Sequence, residues 1–236
     1  MSSTNLIDLP TQQLLERFGA GGHKPGSGSA AALAGILAGK LIATVAALTR
    51  QKDSYVTAHR DAEFITEQIK IRFDPALSIA FQRDAEIFDK VIIARRRRDE
   101  ERDPVRKRDL ADAARELLEQ ATEIPLGVCR DCLRLAEFGL SLFDIGFKSA
   151  RGDSGAAVSM ALAGAFSALF IVNLNLRSFR SGEWARRTSQ EANDLMRSAL
   201  QLQDALFSRG TQLLGSDEEE EPQLQLPFGE SELGRW

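Results

Sequence analysis

The sequence is poor in cysteine, with only Cys129 and Cys132 in 236 residues. Two thiols exclude a disulfide framework and suit a reducing compartment. They form one C-x-x-C pair with no second pair and no histidine close by, so no zinc ligand set is present and no metal is expected. No strand precedes them to suggest a redox fold, and buried or half-buried thiols are expected. A basic-then-apolar start is also missing: acids stand at Asp8 and Glu16, which argues against a cleaved secretory leader and for a cytoplasmic location. There is no alternating polar and apolar stretch of useful length and no internal repeat, so the pattern is all-helical. Charge of one sign is absent too. The net charge is −4, but Ser216 to Trp236 hold seven acids and one arginine, so the remaining body carries +2. A body so balanced has no dedicated nucleic-acid surface.

Two long apolar runs are present. Ala30 to Leu48 is interrupted by Lys40, and Gly155 to Leu176 has no charged side chain. Both are rich in small residues, which supply little transfer energy to lipid, so they read as closely packed core helices and no membrane partner is expected. The fold expected is an all-α bundle built round these two Gly/Ala-rich helices and occupying residues 1–215. In order, the pattern predicts a short amphipathic helix over 8–18, ended by Gly19, and the first small-residue helix over about 29–49. A helical stretch over 57–94 follows, broken or kinked at Pro75. Arg95 to Arg108, with eight bases against four acids, reads as a charged connector; interleaved acids favour a solvated helix end over a nucleic-acid arm. Pro104 starts a helix to about Thr122, and Pro125 starts another to about Phe147. Asp153-Ser154 caps the second small-residue helix, and 183–214 forms the last.

The chemistry-bearing stretch is Gly19 to Thr49. Pro25-Gly26-Ser27-Gly28-Ser29 follows a polar glycine-rich entry, Pro25 sets a turn, and the Ser29 hydroxyl is placed to cap a helix beginning at Ala30. A helix start with free N–H groups attracts an anion or a polar ligand edge; a tight turn into a core helix is the plainer reading. Asp84 lies on or beside the apolar stripe of the helix that follows Pro75.

Pro25 to Gly35, closing on Ala47-Leu48-Thr49, resembles the P-G-G-G-S opening of the formiminotransferase-cyclodeaminase C-terminal family, which includes methenyltetrahydrofolate cyclohydrolases. Three further landmarks keep the family order: Asp84-Ala85 with Phe88-Asp89, then Ile124-Pro125-Leu126, then Asp153 followed by a small-residue helix ending at Asn175-Leu176. The resemblance implies an all-α homodimer that binds a reduced folate near the subunit interface and needs no cofactor beyond that tetrahydrofolate substrate. It implies either hydrolysis of the 5,10-methenyl form to the 10-formyl form or loss of ammonia from the 5-formimino form. Carried over residue by residue, it makes Asp84 the proton-transferring carboxylate. Pro25, Gly26, Ser27, Gly28 and Ser29 become the ligand loop, with Asp153 and Asn175 as further substrate contacts. Lys52, Lys24, Arg50 or the Arg96 region becomes the counter-charge for the folate carboxylates.

This chain departs from the family pattern at several positions. Ser27 replaces the middle glycine, Phe147 stands for an asparagine, Gly152 for a serine, Ile171 for an asparagine, and Arg96-Arg97-Arg98 for a Lys-Leu-Pro element. Loss of polar pocket groups keeps open a second class of function, a non-catalytic relative that binds a ligand or a protein. The acidic run Asp217 to Glu221 reads as disordered. The patch Gln223 to Phe228 resembles the peptide by which bacterial proteins dock on the DNA sliding clamp, or it folds back on its own domain or on a dimer partner.

Overall fold

A computed structural model describes residues 5–22, 24–179 and 181–215. The clamp-like patch Gln223 to Phe228, the acidic run and His23 lie outside the described residues. Seven helices make up the described chain: α1 (Thr11–Gly19), α2 (Ser27–Arg50), α3 (His59–Gln68), α4 (Asp74–Glu100), α5 (Pro104–Ile145), α6 (Arg151–Leu176) and α7 (Glu183–Gly215). Among the described residues there is no strand, so the protein is all-α.

The two inner prolines behave differently. Pro75 falls where a break or kink is expected: α3 gives way to a single π-type turn over Ile69–Phe73, in which the Asp74 N–H donates to the Ile69 carbonyl, and α4 opens with Pro75 in its first turn. The wider turn accommodates a residue that has no N–H and whose ring would crowd the preceding turn. Pro125, by contrast, does not divide α5; it sits buried inside one helix of 42 residues. Arg95 to Glu100 is the last part of α4 and not a connector. The true joint is Glu101 to Asp103, where the Asp103 side chain accepts from the Arg106 N–H at 2.8 Å and Pro104 takes the first helical position. At the chain start, the segment begins with a 3₁₀ turn over Leu6–Asp8, and α1 starts only after Pro10.

Small residues set how the bundle packs. A Cβ on Gly164 of α6 would lie 2.9 Å from the Ala31 carbonyl oxygen of α2 and 2.9 Å from Cys132 Sγ of α5. A Cβ on Gly35 of α2 would lie 2.8 Å from the same sulfur. Three helices therefore meet at Gly35, Gly164 and Cys132, with backbones closer than any larger residue permits. Gly139 adds a second contact of α5 with α6, against Val158. Both small-residue helices are long and apolar enough to cross a membrane, and half of each apolar window is buried within the bundle.

Both α4 and α6 run antiparallel to α2. Along α2 in order, Gly28 faces Asp84, Gly35 faces Leu77 and Gly39 faces Ile69, so α4 runs against it. The Phe147 N–H donates to Thr49 Oγ1 at 3.0 Å, which places the start of α6 at the C-terminal end of α2. On the outside, α7 runs parallel to α5, joined by Trp184 to Glu123, Arg130 to Glu191 and Arg209 to Asp144. These exposed pairs orient α7, and its burial of Ala192 and Ala199 supplies the larger share of its stability.

Gly164→Ala is expected to destabilise the protein by about 1–3 kcal/mol, since the clash is with backbone and the helices must separate. Gly155→Ala, on the same helix with nothing within 4 Å of its would-be Cβ, should be neutral or stabilising by up to about 1 kcal/mol. Chemical denaturation of both variants beside the wild type checks the contrast.

Candidate functional site

The site begins where α2 begins. The helix starts at Ser27, three residues earlier than a Ser29 cap would place it, and the N-cap is Gly26. No side chain of its own caps it. Ser29 instead sits in the first turn, fully buried, and its hydroxyl donates to the Phe81 carbonyl oxygen at 2.9 Å. The cap comes from another helix: Asp84 Oδ2 accepts from the Ser29 N–H at 3.0 Å, and the Ser29 hydroxyl stands 3.4 Å from the same oxygen. A carboxylate at a helix start complements the free N–H groups and the positive end of the dipole.

Gly28 makes that seat possible. A Cβ there would fall 2.0 Å from Asp84 Oδ1 and 2.3 Å from its Cγ. The carboxylate therefore occupies the space a side chain would fill, stacked on the helix backbone. Pro25 is buried beside it, Gly26 is half-buried and Ser27 is exposed. Desolvation by this packing raises the Asp84 carboxyl above the usual carboxylate range, and the two hydrogen bonds from Ser29 pull it partly back. A half-buried carboxylate with a raised pKa, held at a helix start, is suited to take and return a proton.

The wall round it comes from residues of which sequence reasoning had singled out only Lys24 and Asp89. Gln82 Oε1 accepts from the Leu6 N–H at 2.8 Å, fastening the N-terminal segment to α4. Phe18 packs on Phe81 with ring centroids 6.4 Å apart. Lys24 forms an ion pair with Asp89, which ties the glycine-rich entry to α4 one turn beyond Asp84. The only prior signal for these was the i, i+5 spacing of Asp84 and Asp89. Lys24 and Arg50, both candidates for the counter-charge, are already engaged, Arg50 with Glu63 at 3.7 Å.

The remaining candidates divide between the two ends of the bundle. Asn175 is half-buried near the C-terminus of α6, on the Asp84 end, where Arg95 of α4 reaches Ser178 at 3.4 Å. Lys52 and Asp153 are at the opposite end of α2. Lys52 Nζ lies 5.3 Å from the Phe147 ring, which packs edge-on against Tyr55 at 5.9 Å. Asp153 is exposed in the first turn of α6, which begins at Arg151; neither Asp153 nor Ser154 caps it, and Ser154 Oγ is buried without a hydrogen-bond partner. The helix between the two groups is about 36 Å long, so one chain does not bring Lys52 and Asp153 to Asp84. Among the described residues no three His, Cys, Asp or Glu side chains converge as metal ligands. Burial pushes the Cys129 thiol up to about 12 and raises Cys132 as well, so neither is a nucleophile.

Because the folded state raises the Asp84 pKa, it binds that proton more tightly than the unfolded chain does. Stability from this group is present at low pH and is lost as pH rises through the raised value. Asp84→Asn is therefore expected to raise the melting temperature at pH 7 relative to wild type, with the difference shrinking towards pH 4. Thermal scans of both proteins across that range check this.

Comparisons with known proteins identify the fold and the family. A solved structure of a formiminotetrahydrofolate cyclodeaminase from Thermotoga maritima shares the fold, with a TM-score of 0.78 over 89% of this chain and 99% of that one, at 19% identity. A methenyltetrahydrofolate cyclohydrolase from Methylorubrum extorquens is 28% identical over 199 residues, covering 83% of this chain and 93% of the relative. The family model described as formiminotransferase-cyclodeaminase matches residues 10–194. A match over that span, taking in the glycine loop and Asp84, means that the chain belongs to the formiminotransferase-cyclodeaminase family.

Proposed function

We propose that this protein is a folate-dependent one-carbon enzyme that hydrolyses 5,10-methenyltetrahydrofolate to 10-formyltetrahydrofolate. The observation that carries the reading is the Asp84 carboxylate, desolvated and seated on Gly28 at the start of α2. The cyclohydrolase relative, matched over most of both chains, favours hydrolysis over deamination. The substrate's reactive carbon is an amidinium-like centre between two nitrogens. Asp84 takes a proton from water as the oxygen attacks that carbon, giving a neutral tetrahedral adduct. It then returns the proton to N5 as the carbon–N5 bond breaks, and the adduct's hydroxyl proton leaves to solvent as the formyl C=O forms. The balance is one water consumed and one proton released. The exposed Ser27 and the loop Pro25 to Gly28 supply backbone edges to the pterin, with Asn175 at the same end of the bundle.

We further propose that the site is completed by a second copy of the chain. α6 is apolar all round, yet Met160, Phe170 and Leu174 are exposed, as is Leu37 of α2. A helix of that character has its open face covered. A partner with its α2 reversed alongside brings its Lys52 and Asp153 to the Asp84 end. Lys52 then faces the ligand's carboxylates, and Asp153 is free to accept from the pterin's amino and ring N–H groups.

In a near-ultraviolet assay of 5,10-methenyltetrahydrofolate loss, corrected for the buffer rate, Asp84→Asn should lower kcat by about 10²–10⁴-fold. Gly28→Ala, which evicts the carboxylate, should lose activity to a similar degree. In the wild type kcat/KM should rise with pH to a plateau above the raised Asp84 pKa. Full activity in Asp84→Asn would remove the assignment, whereas a wild type that binds reduced folate without turnover would favour the non-catalytic relative. For the shared site, Asp84→Asn and Lys52→Met, each inactive alone, should regain part of the activity when unfolded and refolded together. No recovery in a sample shown by light scattering to be dimeric would mean that each site is built within one chain.

A further inference from the structure

The end of the bundle away from Asp84 gathers positive charge. Lys52 follows α2, Lys148 and Arg151 lie at the start of α6, and the Lys148 N–H donates to the Tyr55 hydroxyl at 3.1 Å, which draws the two segments together. Lys52 Nζ lies over the Phe147 ring and Arg151 Nε donates to the Phe143 carbonyl oxygen at 3.1 Å, so the three cations share one corner. Of the acids there, Asp144 is held by Arg209 and Glu63 lies 3.7 Å from Arg50, while Asp53 and Asp153 are outnumbered. The first turn of α6 has no side-chain cap, and its N–H groups add to the positive potential. Two apolar side chains stand exposed at the same end, Ile145 at the close of α5 and Leu213 of α7. Leu213 is one turn beyond Arg209 on the same side of α7, so it overhangs the end of α5.

The occupant that fits this end is the chain's own C-terminal segment. From Arg209, paired with Asp144, α7 runs on to Gly215, about 9 Å further, where the described chain closes. Residues 216–236 follow, with no lysine, and open on Asp217-Glu218-Glu219-Glu220-Glu221. Along an extended chain the first of these acids is within about 7 Å of Gly215 and the last within about 20 Å. The run therefore reaches the three cations but falls short of the arginines at the end of α4, which lie beside Leu118, ~39 Å back along α5 from Asp144. Leu224, Leu226 and Phe228 come next at every second position, a spacing that puts all three on one side of an extended segment. We propose that Asp217 to Glu221 dock on Lys52, Lys148 and Arg151 of the same chain, with Leu224, Leu226 and Phe228 against Ile145 and Leu213. The tail is then a tethered competitor. It covers Lys52 and Asp153, and its carboxylates take the place of a ligand's. That effect on turnover rests on the second-copy reading above; the docking does not.

Carbodiimide coupling of the full-length protein at low salt, followed by peptide mapping, reads the contact directly. Amide cross-links from the acidic run to Lys52 or Lys148 are expected, and salt on the order of 0.5 M should suppress them by screening. Mixing isotopically light and heavy protein before coupling should show that they form within one chain. In Glu218→Gln/Glu219→Gln/Glu220→Gln/Glu221→Gln, acetylation of Lys52 and Lys148 by a small reagent should run about three- to tenfold faster than in wild type. Lys70, exposed on the π-type turn, is the control and should not change. Cross-links found only between chains would make the occupant the tail of a second copy. Their absence, with equal acetylation in both proteins, would leave the tail to an outside partner. Either result overturns the proposal. In the methenyltetrahydrofolate assay the quadruple variant should show KM lowered by about threefold or more with kcat unchanged, as release of a tethered competitor requires. An unchanged KM with the cross-links present overturns the competing role. A wild type without turnover or folate binding sinks the folate reading and leaves the cross-link result standing.

Discussion

The structure depends on one close crossing, where Gly35 of α2, Gly164 of α6 and Cys132 of α5 meet. Backbone-to-backbone approach of this kind is available only where side chains are nearly absent, and it fills the interior with main chain and one polarisable sulfur. The two most apolar helices thus bury themselves without large side chains. What α2 and α6 lack in bulk they regain in contact density, since each close atom pair contributes only a little dispersion energy but many are made. The crossing also sets the register of α4 on α2, because Leu77 packs over Gly35 and so brings Asp84 to Gly28 two turns away.

From that register the site follows. Asp84 is carried to the start of α2 by a helix that the core already orders, and the missing side chain at Gly28 gives its carboxylate a place. The arrangement costs stability, since a carboxylate is taken partly out of water, and the helix start offsets this only in part through the Ser29 N–H. A group left in that condition is common where proton transfer is required and uncommon where it is not.

Much of the fold was legible in the residues. Helix type followed from periodicity, and the small-residue runs identified α2 and α6 as packed helices because alanine and glycine drive close approach better than lipid insertion. The break or kink expected at Pro75 falls where a π-type turn gives way to α4, whereas the break expected at Pro125 does not occur, because that proline is buried inside α5 and tertiary packing holds the helix together. The caps were misread for a related reason. Ser29 and Asp153 have the right residue types for local caps, yet Ser29 is turned to Phe81 and Asp153 lies past the cap position, in the first turn of its helix.

The sequence by itself determined the all-helical class, the family and which residues are candidates for the chemistry, because these depend on spacing and residue type, which are properties of the chain read in order. Only the tertiary structure decided which of those residues meet. Asp84 and Ser29 are 55 positions apart and share a hydrogen bond, while Lys52, only 23 positions beyond Ser29, is separated from it by the length of a helix. The physical reason is that a helix converts sequence distance into a rigid span, whereas an antiparallel crossing cancels it. Whether two residues form one site is therefore set by where the glycines allow the helices to cross.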